Sequence, residues 1–156
     1  MQITNLSNLD EKKIGKCGEL LVQYKLLLNG IESLHFPDGQ SNCLIAYTKS
    51  SKKPITILVR TIVKAKPGGE RQKLALEWII QKGTKVDVVA LVDLSRNKVW
   101  LFTIDEISVK AQKNSNGNYN LYMYVDPSAL HKKETNDVME YEFKKYQIEN
   151  KVGIIF

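Results

Sequence analysis

Apolar positions change their spacing along the chain, and each change marks an element. Ile14, Cys17, Leu21, Tyr24 and Leu28 recur at helical intervals, with Leu20 and Leu27 widening the stripe. This spacing predicts an amphipathic helix. Asn8 is the expected N-cap, with Glu11 as its capping-box partner, and Asn29-Gly30 ends the helix. Gly15 and Gly18 lie inside it, although each glycine costs about 1 kcal/mol against alanine. Close approach of the helix to a sheet would account for both. Past Gly30 the runs shorten. Ile31–Phe36, Cys43–Thr48 and Ile55–Val63 read as strands, with Pro37-Asp38-Gly39-Gln40 and the polar stretch from Lys49 to Pro54 as turns. Lys66-Pro67-Gly68-Gly69 reads as a loop, and Leu74–Gln81 as a short helix carrying Trp78 and Ile79. Val86–Leu94 is the most continuously apolar strand, which predicts a central place in the sheet. Lys98–Thr103 is the next strand. Asp105-Glu106 reads as a helical turn, Ile107, Val109 and Ala111 as an alternating segment, and Asn116-Gly117 as a hairpin turn into Tyr119–Val125. Asn136–Tyr146 is expected to be helical and Val152–Phe156 an apolar tail on the core. The order predicts an α/β fold with a mixed central sheet flanked by helices.

The chain has 156 residues, 43% hydrophobic and 26% charged, with a net charge of +6. That length and composition predict a single folded domain over residues 1–156, with a core at about 8–107 and a C-terminal hairpin and helix extension at 108–156. No apolar run approaches the ~20 residues of a membrane span. The N-terminus lacks the basic flank and apolar core of a signal peptide, so a cytoplasmic protein is expected. Cys17 and Cys43 are too isolated for a disulfide framework and read as buried thiols. His35 and His131 are not at metal-ligand spacing, and neither has an evident catalytic partner. The charge is concentrated: residues 49–85 hold ten basic side chains against Glu70 and Glu77. Such a stretch can follow a phosphate backbone, or it can simply solvate a face.

Three segments resemble the PD-(D/E)xK nuclease superfamily, whose fold serves restriction enzymes, junction resolvases and some homing endonucleases. Gly15-Lys16-Cys17-Gly18-Glu19-Leu20-Leu21-Val22, with Leu28-Asn29-Gly30-Ile31, resembles the first helix and its exit. Cys43-Leu44-Ile45-Ala46-Tyr47 and Ile57-Leu58-Val59-Arg60-Thr61 resemble the hairpin that carries the active site. Val86–Leu94, with Val99-Trp100-Leu101-Phe102 and Ile104-Asp105-Glu106-Ile107, resembles the strands that close the sheet. The likeness covers most of residues 10–107 and implies a restriction-endonuclease-like core.

In that superfamily acidic residues on the second and third strands hold Mg²⁺, which activates water. A lysine two residues beyond the third-strand ligand shares its face, and a first-helix glutamate assists. Carried onto this sequence, the helix glutamate is Glu19, the second-strand acid is Cys43, the third-strand acid is Leu58 and the lysine is Arg60. Leucine cannot bind a hard cation, and arginine keeps the charge without giving up its proton. The resemblance therefore implies a degenerate site without a metal cofactor, more a binder than an enzyme. Nucleic acid is its expected partner, DNA before RNA, held by Arg60, Lys64, Lys66, Arg71 and Lys73. In a competing register Pro37-Asp38 is the motif. Asp38 and Glu19, with Glu70 or Glu77, would then hold Mg²⁺ in an active endonuclease. A third reading is a protein-interaction or oligomerisation module without nucleic-acid binding, and analogy with paired nuclease domains adds a homodimer.

Each residue also has a plainer reading. Glu19 can be a helix-edge carboxylate, Arg60 its structural ion-pair partner, and Pro37-Asp38-Gly39 a turn. Trp78 and Trp100 read as core or helix–sheet contacts. Tyr119, Tyr122 and Tyr124 suit a half-buried strand, with an aromatic dimer edge as the alternative.

Overall fold

The computed structural model describes residues 6–36, 42–48, 53–68, 72–129 and 138–156. In chain order the elements are α1 (Glu11–Leu28), β1 (Glu32–His35), β2 (Cys43–Tyr47), β3 (Ile55–Ile62), β4 (Lys66–Gly68), β5 (Lys73–Ile80), β6 (Val88–Asp93), β7 (Lys98–Thr103), α2 (Ile104–Lys110), β8 (Gln112–Lys113), β9 (Tyr119–Tyr124) and α3 (Ile148–Ile155). Short 3-10 turns sit at Leu6–Asn8, Leu94–Arg96, Pro127–Ala129 and Glu140–Tyr146.

A five-stranded sheet has the order β1-β2-β3-β6-β7. Only β3 and β6 run parallel; the other neighbours are antiparallel. All six residues of β6 are buried, because both faces of this strand are covered. On one face Leu44, Ala46, Ile57, Val59, Ala90 and Leu101 meet Val22 and Leu26 of α1 and Ile148 and Val152 of α3. On the other, Leu58, Val89, Leu91, Trp100 and Phe102 meet Leu76, Trp78 and Ile80 of β5, Leu121 and Met123 of β9, Ile107 of α2, and Phe143 and Tyr146. This second layer is mainly a four-stranded antiparallel sheet of order β4-β5-β9-β8.

Several local expectations are corrected. Residues 74–81 form no helix: most of them belong to β5, where Leu76, Trp78 and Ile80 are buried while Glu77 and Ile79 are exposed. That is a two-residue period, and it lets a strand pair lie within the crossover that a helix usually makes. Lys66–Gly68, expected as a loop, pairs with the start of β5. Asp10, not Asn8, caps α1 by accepting a 2.8 Å bond from the Lys13 amide. Ile107 and Val109 are helical, because Thr103 and Glu106 form a capping box just before them. The apolar tail is largely helix α3, and Glu140–Tyr146 winds as a 3-10 turn; positions 136 and 137 of the expected helix lie outside the described residues. Both tryptophans are core, edge to face with ring centroids 5.7 Å apart, between the two sheets and not under a helix. Tyr119, Tyr122 and Tyr124 lie on β9, which pairs with β5 along its length and with β8 at Tyr119 and Asn120. The Asn116-Gly117 hairpin forms between β8 and β9, with Gly117 at φ +81°.

The C-terminal segment is fastened by charge. Arg96 donates to the fully buried Asp93 at 2.7 Å and to Glu140 at 2.9 Å, and Lys98 donates to Glu140 at 2.7 Å. Burial disfavours the Glu140 carboxylate, but the bonds from Arg96 and Lys98 outweigh it and hold its pKa below the ordinary value. A depressed carboxylate pKa stabilises the fold above the unfolded-state pKa, and that contribution is lost as pH falls through the folded value. Glu140→Gln is therefore expected to cost about 1 kcal/mol at neutral pH. In urea unfolding followed across pH, the gap from the parent should close in acid; a constant gap would remove the charge from the explanation.

The packing of α1 on β3 explains its glycines. A Cβ at Gly18 would lie 1.8 Å from Thr61 Oγ1 and 2.8 Å from Thr61 Cβ. At Gly15 it would meet only the movable end of Asn42, with Oδ1 at 2.6 Å. Gly18→Ala is predicted to destabilise by about 1–3 kcal/mol through overpacking. Gly15→Ala should stay within about 0.5 kcal/mol of the parent, because better helix propensity offsets a small side-chain shift. Equal costs in chemical denaturation would contradict the close approach at Gly18.

Candidate functional site

The site begins with the β2–β3 register. Cys43 stands directly across from Leu58, and Arg60 follows two residues along β3. Strand alternation places Cys43, Leu58 and Arg60 on the face toward the second sheet. Leu58 is buried there, and Cys43 packs against the same cluster. Glu19 approaches from α1, buried to 6% relative exposure. Its Oε2 lies 2.9 Å from His35 Nδ1 and 3.6 Å from Lys16 Nζ, and Lys16 Nζ lies 2.7 Å from His35 Nε2.

The Cys43 thiol feels both charged neighbours. Burial pushes its pKa above the ordinary value, Arg60 draws it down, and Glu19 pushes it up. The net effect is upward, so the group is a neutral thiol. It is thus a poor ligand and a poor nucleophile at neutral pH.

Arg60 borders a cavity of about 580 Å³ that is also lined by Gly15, Asn42, Thr61, Lys64, Lys66 and Glu77. Its Nε is buried and has no hydrogen-bond partner, and neither has the neighbouring Thr61 Oγ1. The expected structural ion pair between Arg60 and Glu19 is absent among the described residues; Glu19 is engaged by His35 and Lys16 instead.

The structure thus brings Glu19, Cys43 and Arg60 into one electrostatic neighbourhood and gathers Arg60, Lys64 and Lys66 around one cavity. Lys73 opens β5 opposite Gly68, outside that lining. Asp38, Glu70 and Arg71 lie outside the described residues. Glu77 lines the cavity and accepts a 3.3 Å bond from Asn120 Nδ2, whereas Glu19 does not line it. His35, for which the sequence shows no evident catalytic partner, lies 2.9 Å from Glu19 Oε2 through its Nδ1. Strand spacing gave no sign of this contact, because it joins α1 to β1 across the sheet edge. Asn42 was also missed. It sits at φ 71°, a backbone region asparagine tolerates better than most residues, and it lines the cavity beside Arg60.

This donor set does not fit a hard divalent cation. Leu58 offers no donor, Cys43 offers a neutral thiol, Arg60 adds positive charge, and Glu19 is already bonded to two other groups. Among the described residues no group of three or more His, Cys, Asp or Glu side chains is placed to hold a metal ion. None of the described helices is long and apolar enough to cross a membrane.

No protein-family model matches the chain, and no curated protein matches it in sequence. A solved structure described as the bacterial homing endonuclease I-Ssp6803I is similar to it, with a TM-score of 0.59 at 10% identity, over 94% of this chain and 91% of that one. The likeness bears out the expected fold: mixed α/β, with a mixed central sheet and helices, in a restriction-endonuclease-like arrangement.

Placing acids at Cys43 and Leu58 tests whether these positions converge. The double variant Cys43→Asp, Leu58→Glu is expected to be less stable than the parent, because it buries carboxylates. Mg²⁺ should raise its melting temperature and leave that of the parent unchanged. A double variant that folds but shows no Mg²⁺-dependent shift would mean that the two positions do not face a common point.

Proposed function

We propose that the chain is a nuclease-like domain that holds nucleic acid, DNA foremost, by its phosphates and does not cut it. The observation that carries this reading is the unpaired Arg60 Nε beside a cavity that also bears Lys64 and Lys66. A buried N–H without a partner costs about 1–3 kcal/mol, and a phosphate oxygen entering the cavity would satisfy it. Guanidinium suits this task, since its fork of donors matches phosphate geometry. Thr61 and Asn42, two neutral polar residues, line the same cavity. Arg71 and Lys73 follow in sequence and would extend the phosphate contacts beyond it. Among the described residues no second carboxylate joins Glu19 in a group placed to hold a metal ion, which favours holding over Mg²⁺-dependent cleavage.

Contacts to phosphates position a duplex without reading its sequence, so binding should be non-specific and salt-sensitive. The test is fluorescence anisotropy with unrelated duplexes at rising salt. The parent is expected to bind all of them alike. Lys64→Ala and Lys66→Ala should each reduce the slope of log K against log salt by about one. Arg60→Met should weaken every duplex equally. No affinity at low ionic strength would overturn the proposal. Mg²⁺-dependent plasmid cleavage that is lost in Asp38→Asn and Glu19→Gln would establish the active nuclease in its place.

A further inference from the structure

Charges of both signs line the cavity beside Arg60. Lys64 and Lys66 share it with Arg60, and so does Glu77. Among the described residues Glu77 forms no ion pair with any of the three. Its Oε1 accepts a 3.3 Å bond from Asn120 Nδ2 on β9. An ionised carboxylate has about four lone-pair sites, so Glu77 keeps capacity for a further donor. A carboxylate among three cations weakens the hold on a bare phosphate. Its place is explained if the ligand brings an N–H donor together with the phosphate. Glu11 lines the cavity as well, but it stands in the first turn of α1, where a carboxylate complements the helix N-terminus.

Size and strand pairing point the same way. The volume of about 580 Å³ falls within the ~300–1,000 Å³ of sites that enclose a whole small ligand, and one phosphate group leaves most of it unfilled. Beside Glu77 the strand edge is open. β4 pairs with β5 only at Lys73, Leu74 and Ala75, and no other strand continues that pairing among the described residues. The Val125 amide donates to the Leu74 carbonyl at 3.0 Å. Alternation then turns the main-chain groups of Leu76, Trp78 and Ile80 toward β9, and those of Glu77 and Ile79 to the opposite edge. Glu77, Trp78 and Ile79 line the cavity, so this edge adds main-chain donors and acceptors beside the carboxylate.

We propose that the cavity encloses one unpaired nucleotide of a DNA strand, with its phosphate on Arg60, Lys64 and Lys66 and its base at Glu77. The inference rests on phosphate holding and adds what the phosphate is attached to. A carboxylate accepts from an exocyclic amine and repels a carbonyl oxygen. Cytosine and thymine are close in size and differ at this point, since cytosine carries an amine where thymine carries a carbonyl. Cytosine is therefore favoured. In a paired base that amine is already bonded to the partner and the ring lies within the stack, so the nucleotide enters only from outside the helix. The buried Arg60 Nε asks for the same thing, because an oxygen must come into the cavity to meet it.

Duplexes of equal length, closed by a hairpin at both ends, test this in fluorescence anisotropy. One is fully paired, and the others carry a one-nucleotide bulge of cytosine, of thymine or of an abasic sugar. The parent is expected to bind the cytosine bulge about tenfold more tightly than the paired duplex, with the thymine and abasic bulges close to the paired one. Glu77→Gln should hold cytosine and thymine bulges alike, because an amide both donates and accepts. It should also hold the paired duplex more tightly than the parent does, because a charge opposing the cations is gone. Equal binding of the cytosine-bulged and paired duplexes by the parent would overturn the inference and leave phosphate holding intact. A cytosine preference that persists in folded Glu77→Gln would overturn it too, since the amine would then be read elsewhere. Absence of binding to every duplex would overturn phosphate holding itself, and this inference with it.

Discussion

Strand β3 is the constraint on which the rest of the structure depends. It pairs antiparallel with β2 and parallel with β6, and its two faces meet different layers. Ile57 and Val59 enter the core under α1 and α3, while Leu58 enters the core shared with the second sheet. A one-residue slip would exchange these faces and bury Arg60 under α1. Thr61 adds a second lock, because α1 sits so close above it that only glycine fits at position 18. Register and helix contact therefore fix together which side chains reach the cavity.

Much of this was legible in the sequence for a physical reason. α1 and β6 carry strong periodic or continuous apolar signals, and Gly15 and Gly18 announced a close helix–sheet contact. The resemblance put Cys43 and Leu58 at the two strand ligand positions, and the structure pairs them directly across β2 and β3. The misreadings cluster where pattern is ambiguous. Leu74-Ala75-Leu76 and Ile79-Ile80 interrupt the alternation of β5 with apolar residues on both faces, so a strand can pass for a helix. One outer position, Ala75, is covered by a separate small cluster with Tyr124, Ala129 and Met139, which no local pattern reveals. The Glu19–His35 contact was illegible because it depends on how α1 lies along β1, a tertiary fact.

The same reasoning separates fold from function. The likeness to a homing endonuclease at 10% identity speaks for architecture, and function has to come from the site. What the architecture contributes is position: β2 and β3 set Cys43 directly across from Leu58, with Arg60 two residues farther along the strand. What the side chains contribute is charge, and here the balance differs from that of a metal-binding site. Two carboxylates near one lysine would attract a divalent cation. In the proposed reading Cys43 and Leu58 bring no negative charge to these strand positions, and the Arg60 guanidinium brings a positive one.

That substitution pattern also bears on Glu19. A buried glutamate without partners would carry a large desolvation cost. His35 and Lys16 supply the compensating donors from the helix face, away from the cavity. Glu19 is thereby turned from the cavity, and the field inside the cavity is left to Arg60, Lys64 and Lys66, opposed by Glu11 and Glu77 at its margins. In the proposed reading, the acids lost from the strands and the pairing of the remaining helix acid have one electrostatic consequence: a frame suited to a cation becomes one suited to a phosphate.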